Sequence, residues 1–199
     1  MALMYKLQDN WKQKAVLQGR GFHVDVGAFS TPIVGGGNGT VLDQDQPECG
    51  ISVPTGTAII PIRIHVQALT PLLATDADES EILIAWDQAA AIDAGTSTSE
   101  TALRMHDGSS VTSRCTCYSA YTADCTNPTL SVELARSIIV GDVQGTPANA
   151  LWTKNELLYI PDPAPIIVGP ASLIIYWGGT VATSGFAQVE WLEYYTSEI

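Results

Sequence analysis

The C-terminal stretch constrains this chain more than any other part of it. Ile166-Ile167-Val168-Gly169-Pro170 leads into Ser172–Trp177, a Gly/Thr/Ser-rich connection follows, and Phe186–Tyr195 closes the run. Two apolar and aromatic segments of strand length are thus joined by turn-forming residues. In the second, Phe186, Gln188, Glu190, Leu192 and Tyr194 share one face, and Ala187, Val189, Trp191, Glu193 and Tyr195 share the other. That period of two is what a half-buried antiparallel strand requires. An all-β chain is expected, and neither segment carries a catalytic group.

The same punctuation runs upstream. Phe22–Val34 reads as a strand interrupted at Gly27, followed by a glycine-rich loop over Gly35–Thr40. That loop lacks the Gly-Lys-Ser/Thr ending of a phosphate-binding loop. Cys49–Val53 is a short strand, Pro54-Thr55-Gly56 a turn, and Thr57–Gln67 a long strand. Strict alternation puts Ile60, Ile62, Ile64 and Val66 on one face, with Arg63 and His65 on the other. Pro61 then implies an edge, a bulge, or a strand that begins after it. Further strands are expected over Glu81–Asp87, Thr101–Met105, Val111–Ala120, Leu130–Val140 and Leu157–Ile160. The one helix candidate is Ala-rich Gln88–Ala94, one or two turns long. Roughly eight to ten strands without alternating helices or internal repeats mean a sandwich or jelly roll, not a βαβ fold. The expected organisation is an N-terminal arm over residues 1–21 and one β domain over 22–199.

Charge is scarce and uneven. Only 15% of residues are charged, where a quarter is usual, and the net charge is −12. Small neutral side chains covering much of the exterior suit a surface that meets other subunits. Residues 1–20 hold four basic groups (Lys6, Lys12, Lys14, Arg20) and one acidic group (Asp9), a net +3. The remainder holds five basic and 20 acidic groups, a net −15. An acidic body argues against general nucleic-acid binding, which needs cations to displace counterions from phosphate. Only the basic arm could touch nucleic acid or an acidic neighbour; solvated lysines on a terminal strand are the plainer reading. No secretory leader and no membrane span are legible, so folding in a cytoplasm is expected.

The cysteines leave three possibilities open. Cys115 and Cys117 share a strand face, and Cys125 follows a turn, while Cys49 stands apart. Free thiols are favoured over a single disulfide to Cys125. A zinc site is weaker still, since the C-x-C-x₇-C spacing lacks a nearby fourth ligand.

Catalytic constellations are thin. His23, His65 and His106 are widely spaced and form no H-x-H pair, so a metal-dependent cupin is not expected. Asp87 beside Trp86 and Glu190 beside Trp191 are the carboxylates a β-sandwich glycosidase would need to bring face to face. Asp76, Asp78, Glu79 and Glu81, or Asp43, Asp45 and Glu48, could offer oxygens to calcium, although solvated acidic loops explain both clusters. A carbohydrate-binding module would need coplanar exposed aromatics such as Tyr118, Tyr121 and Trp152. No cofactor is expected.

Two segments carry a resemblance. Ile51-Ser52-Val53-Pro54-Thr55-Gly56-Thr57-Ala58-Ile59-Ile60-Pro61-Ile62-Arg63-Ile64, and Val168–Tyr176 followed by Phe186–Glu193, resemble the single jelly-roll capsid and capsid-decoration (cement) proteins of bacteriophages. The resemblance covers about a quarter of the chain and rests on patterns of strand, turn and closing Trp-x-Glu. It implies a non-enzymatic virion protein, commonly a homotrimer, assembled in the host cytoplasm among other capsid subunits. The expected contact residues are Lys6, Trp11, Lys12 and Lys14 of the arm, with Trp177, Trp191, Tyr194 and Tyr195 as aromatic anchors. Burying one such aromatic at an interface is worth roughly 2 kcal/mol.

Overall fold

The computed structural model describes residues 10–28, 30–36, 42–70, 79–125, 128, 132–140, 153–180 and 183–199. Thirteen strands, one helix and a terminal 3-10 turn are found among these residues. The strands are β1 (Gly21–Val26), β2 (Ile33–Val34), β3 (Cys49–Val53), β4 (Thr57–Thr70), β5 (Glu79–Asp87), β6 (Thr96–Glu100), β7 (Leu103–Arg104), β8 (Thr116–Ala123), β9 (Val132–Val140), β10 (Thr153–Tyr159), β11 (Ile167–Val168), β12 (Ala171–Gly179) and β13 (Ser184–Tyr195).

Their pairing follows one rule. β1 pairs with β13, β3 with β12, β4 with β10 and β5 with β9, all antiparallel. The first principal strand therefore meets the last, the second meets the next to last, and so inward to the middle. Such a chain is one long hairpin, rolled so that successive pairs fall alternately into two sheets. The first sheet runs β10-β4-β13-β1 and the second β3-β12-β5-β9, which is a jelly roll. The fold is an all-β, antiparallel, single jelly-roll sandwich. The long connection between β5 and β9 adds β6 and β8 to the second sheet beyond β3, and β7 to the first beyond β1. β2 and β11 are two-residue additions to β13 and β4.

The core between the sheets joins Phe22, Val24, Ile64, Val66, Val189 and Trp191 to Ile51, Ile82, Ile84, Leu173, Ile175 and Trp177. Alternation along β13 is kept: Ala187, Val189 and Trp191 face inward. Along β4 it is not kept. Glu190 pairs with Arg63 but Trp191 pairs with Pro61, so Ile62 is an extra residue in a bulge. The bulge resets the faces: Ile59, Ile64 and Val66 point into the core, while Ile60 and Ile62 point out beneath the helix. The expected single row of Ile60, Ile62, Ile64 and Val66 is thereby corrected. Pro61 is tolerated in a central strand for a related reason. On its other side the ladder with β10 ends at Ile64 and that with β11 begins at Ile59, so Pro61 lies in the gap.

Two further expectations need correction. Gln88–Ala94 is not helical; it crosses the outer face of the second sheet as an irregular strap. The helix lies instead in the region read as an arm. α1 (Trp11–Leu17) starts at Asn10, whose side chain accepts from the Gln13 N–H at 3.1 Å. It stops at Gly19, with φ of 75°. The Gly19 N–H donates to Val16 O and the Arg20 N–H to Ala15 O, the paired bonds of a Schellman ending. Ala15 is buried against Ile62 and Leu192 of the first sheet. Residues 10–20 are thus docked on the sandwich.

Candidate interaction surfaces

Trp177 and Trp191 do not reach any surface. Both are 0% exposed and belong to the core of their own chain, so they are not interface anchors. Trp177 donates from Nε1 to Ile33 O at 3.1 Å, and a Cβ at Gly35 would stand 2.1 Å from its carbonyl oxygen. The sequence marks these residues as large and apolar, and the core between the two sheets takes up their whole surface. Lys6 lies outside the described residues. The other expected contact residues fall into two groups.

Trp11 and Lys12 open α1 and line a hollow of about 280 Å³ with Ile60, Pro161, Asp162, Pro163, Ala164 and Ile166. It forms where β4 is left without a partner between β10 and β11. Trp11 is 49% exposed, and Leu158, Ile160, Ile166 and Val168 nearby are each about half exposed. These residues make an apolar strip along one edge of the first sheet. Lys14 is solvated on the same helix.

Tyr194 and Tyr195 lie at the end of β13, where two arginines pack on their rings. The Arg20 Cζ stands 4.7 Å from the Tyr194 centroid and the Arg114 Cζ 3.7 Å from that of Tyr195. Each arginine also holds a carboxylate. Arg20 forms a two-bond pair with Glu198 at 2.6 and 2.8 Å, holding that carboxyl down at about 2. Arg114 donates from both its backbone N–H and Nε to Glu193, whose other oxygen accepts from Ser113 Oγ. The sequence marked both tyrosines but missed the arginines, which come from residues 20 and 114 and meet only through the fold.

The outer face of the first sheet carries a polar ladder. Asp25, Gln188, Arg63 and Glu190 are linked in series, and Glu156 accepts from His65, Gln67 and Lys154. The Glu156 carboxyl is held at about 2, chiefly by Lys154 and then by His65. Glu190 therefore belongs to this face. Asp87 follows the inward-facing Ile82 and Ile84 of β5 out of phase, so it lies on the outer face of the second sheet. Two sheets separate the supposed glycosidase carboxylates, and that pair cannot share a substrate.

Tyr121 is buried and meets Tyr118 edge-on at 72°, so these two form no flat platform; Trp152 lies outside the described residues. Asp76 and Asp78 also lie outside them, while Glu81 pairs with Arg136. All four cysteines are free and buried. Cys117 faces the core between the sheets and Cys125 the opposite side of the second sheet, which prevents their bonding. Burial pushes the Cys117 thiol up to about 12. Among the described residues, no group of three or more His, Cys, Asp or Glu is placed to hold a metal ion. No helix among them is long and apolar enough to cross a membrane.

Glu48, a candidate calcium ligand by sequence, has a different place in the fold. One carboxyl oxygen accepts from the Gly36 N–H at 2.6 Å and the other from the Trp177 N–H at 2.8 Å. It clasps the loop before β3 onto β12. Burial outweighs these donors and raises the carboxyl to about 8.

Comparison with family models, curated proteins and solved structures finds no match for this chain. Its function is therefore read from its own surfaces.

Proposed function

We propose that this protein is a non-enzymatic structural subunit of a virion, a capsid or capsid-decoration (cement) protein that assembles as homotrimers through subunit contacts. The observation that carries this reading is the half-exposed apolar strip of Trp11, Leu158, Ile160, Ile166 and Val168 along the edge of the first sheet. Contiguous apolar surface of this kind marks protein contact sites, and aromatic anchors contribute most at their centres. The jelly roll is compatible with this role, although that fold also serves lectins and enzymes. The low charge fraction agrees as well. Other capsid subunits are the expected partners, and the virion is the expected location.

The first test is solution mass by light scattering. A trimer or larger closed assembly supports the proposal. A monomer from micromolar to millimolar concentration, with no binding to shells, overturns it. The paired changes Trp11→Glu and Ile166→Lys should reduce any assembly to monomers with little change in melting temperature, because both side chains are half exposed in the single chain. Removing residues 1–9 should weaken assembly and leave the sandwich folded. Removing 1–20 is harsher, since it uncovers Ile62 and Leu192 and deletes the backbone bond from Glu193 N–H to Arg20 O at 2.8 Å.

A further inference from the structure

A second hollow, larger than the one beside Trp11, lies elsewhere on the sandwich. About 550 Å³ opens at the end of β13, between the turn after α1 and the extended segment before β8. Phe22 and Tyr195 supply its aromatic surface, and Gln18, Ser110 and Thr112 stand around them. A volume of this size falls within the roughly 300–1,000 Å³ of small-ligand sites.

The chemistry of the walls narrows the ligand. Four charged groups lie in or beside the hollow, and each is already neutralised by another: Arg114 by Glu193 and Arg20 by Glu198. Arg114 has little left to offer a ligand, since it also donates to the Tyr194 carbonyl at 2.8 Å. What remains unused is neutral: the Gln18 amide and the Ser110 and Thr112 hydroxyls, none of which bonds to another side chain or backbone group among the described residues. Beside them, Tyr195 is 57% exposed, and Arg114 fixes its ring by stacking on one face. A held aromatic ring flanked by an amide and hydroxyls matches a pyranose, which has apolar C–H faces and a rim of hydroxyl groups. An anionic ligand would have to break an existing ion pair before it could be held.

We infer that this hollow binds a neutral saccharide, with Tyr195 stacking on the sugar ring and Gln18, Ser110 and Thr112 bonding its hydroxyls. The inference stands apart from the assembly proposal, because none of these residues lies in the apolar strip.

Saturation-transfer NMR on the full chain tests it, using glucose, galactose, mannose and N-acetylglucosamine as probes, with glucuronate and sialic acid as charged controls. At least one neutral sugar should give transfer at ~10 mM, unchanged by added salt, as expected for an uncharged ligand. Tyr195→Ala should abolish that signal, and Gln18→Ala or Thr112→Val should weaken it several-fold. Both latter side chains are solvent-facing, so circular dichroism should show the variants folded. No transfer from any neutral sugar overturns the inference. So does transfer from the charged controls alone, or transfer that survives both Tyr195→Ala and Gln18→Ala in folded protein.

Discussion

The two outer faces of this sandwich solve the same problem in opposite ways. On the second sheet, Leu83, Ala85, Ile174 and Tyr176 point away from the central core, yet all are buried. The loop before β3 and the strap after β5 cover them. Tyr176 donates its hydroxyl to Gln44 O, Ser172 Oγ donates to Ala90 O, and the Ile92 N–H donates back to Ser172 Oγ. This face is a second, smaller core with its own lid. On the first sheet the equivalent positions are Arg63, His65, Gln188 and Glu190, and among the described residues only α1 packs on that face, over Ile60, Ile62 and Leu192. There the backbone is protected by a hydrogen-bonded polar ladder that faces water. A sheet face can be closed by folding chain over it or by making it soluble, and only the second choice leaves it available to neighbours.

The largest expected effect separates the two faces directly. Ile174→Ala should cost about 2–5 kcal/mol in denaturant melts, because the lid cannot collapse fully into the cavity left behind. Gln188→Ala, on the ladder, should cost about 1 kcal/mol or less. Equal losses at the two positions would break the contrast.

The faces should also answer pH with opposite signs. Glu48 lies under the lid, and its carboxyl is raised from 4.5 to about 8 when folded. Between those values the folded chain keeps a proton that the unfolded chain releases, so this group's contribution to stability falls as pH rises through the window. Melting temperatures should show that slope in the native sequence, and Glu48→Gln should flatten it. A slope that survives the substitution would assign it to another group. Glu156 on the ladder behaves in reverse, since its folded value of about 2 lies below 4.5. Its contribution is present above 4.5 and is lost as pH falls toward 2. Because Glu156 is solvent-exposed, this is the smallest effect, visible as a slight reduction in acid sensitivity for Glu156→Gln at low salt.

Much of the fold was legible along the chain. The strands Cys49–Val53 and Phe186–Tyr195 were readable because alternation and turn residues are local signals. The helix was missed, although Asn10 and Gly19 are ordinary start and stop residues for a short helix. The four basic residues and single acidic residue of positions 1–20 suggest an arm, and a seven-residue helix carries too little periodicity to argue otherwise. The insertion strand Thr96–Glu100 was missed because Thr-Ser-Thr-Ser-Glu has no apolar face. Of the expected contact residues, Trp11, Lys14 and Tyr195 are exposed, and Lys12 and Tyr194 are partly so.

By itself, then, the sequence determined the class of structure: all-β, rolled from many short antiparallel strands, with acidic charge in the body and basic charge at the start. Those properties depend on the order of side chains within about ten residues of one another. Tertiary structure decided which large side chains are core and which are surface. Trp177 and Trp11 are the same residue type, yet Trp177 is packed in the core between the sheets while Trp11 lines the hollow beside Ile60 and stays half exposed. It likewise decided that Arg20, Arg114, Glu193 and Glu198 would meet and cancel, leaving a neutral hollow in an acidic protein. Burial and charge pairing depend on what arrives from elsewhere in the chain, and no local pattern records that.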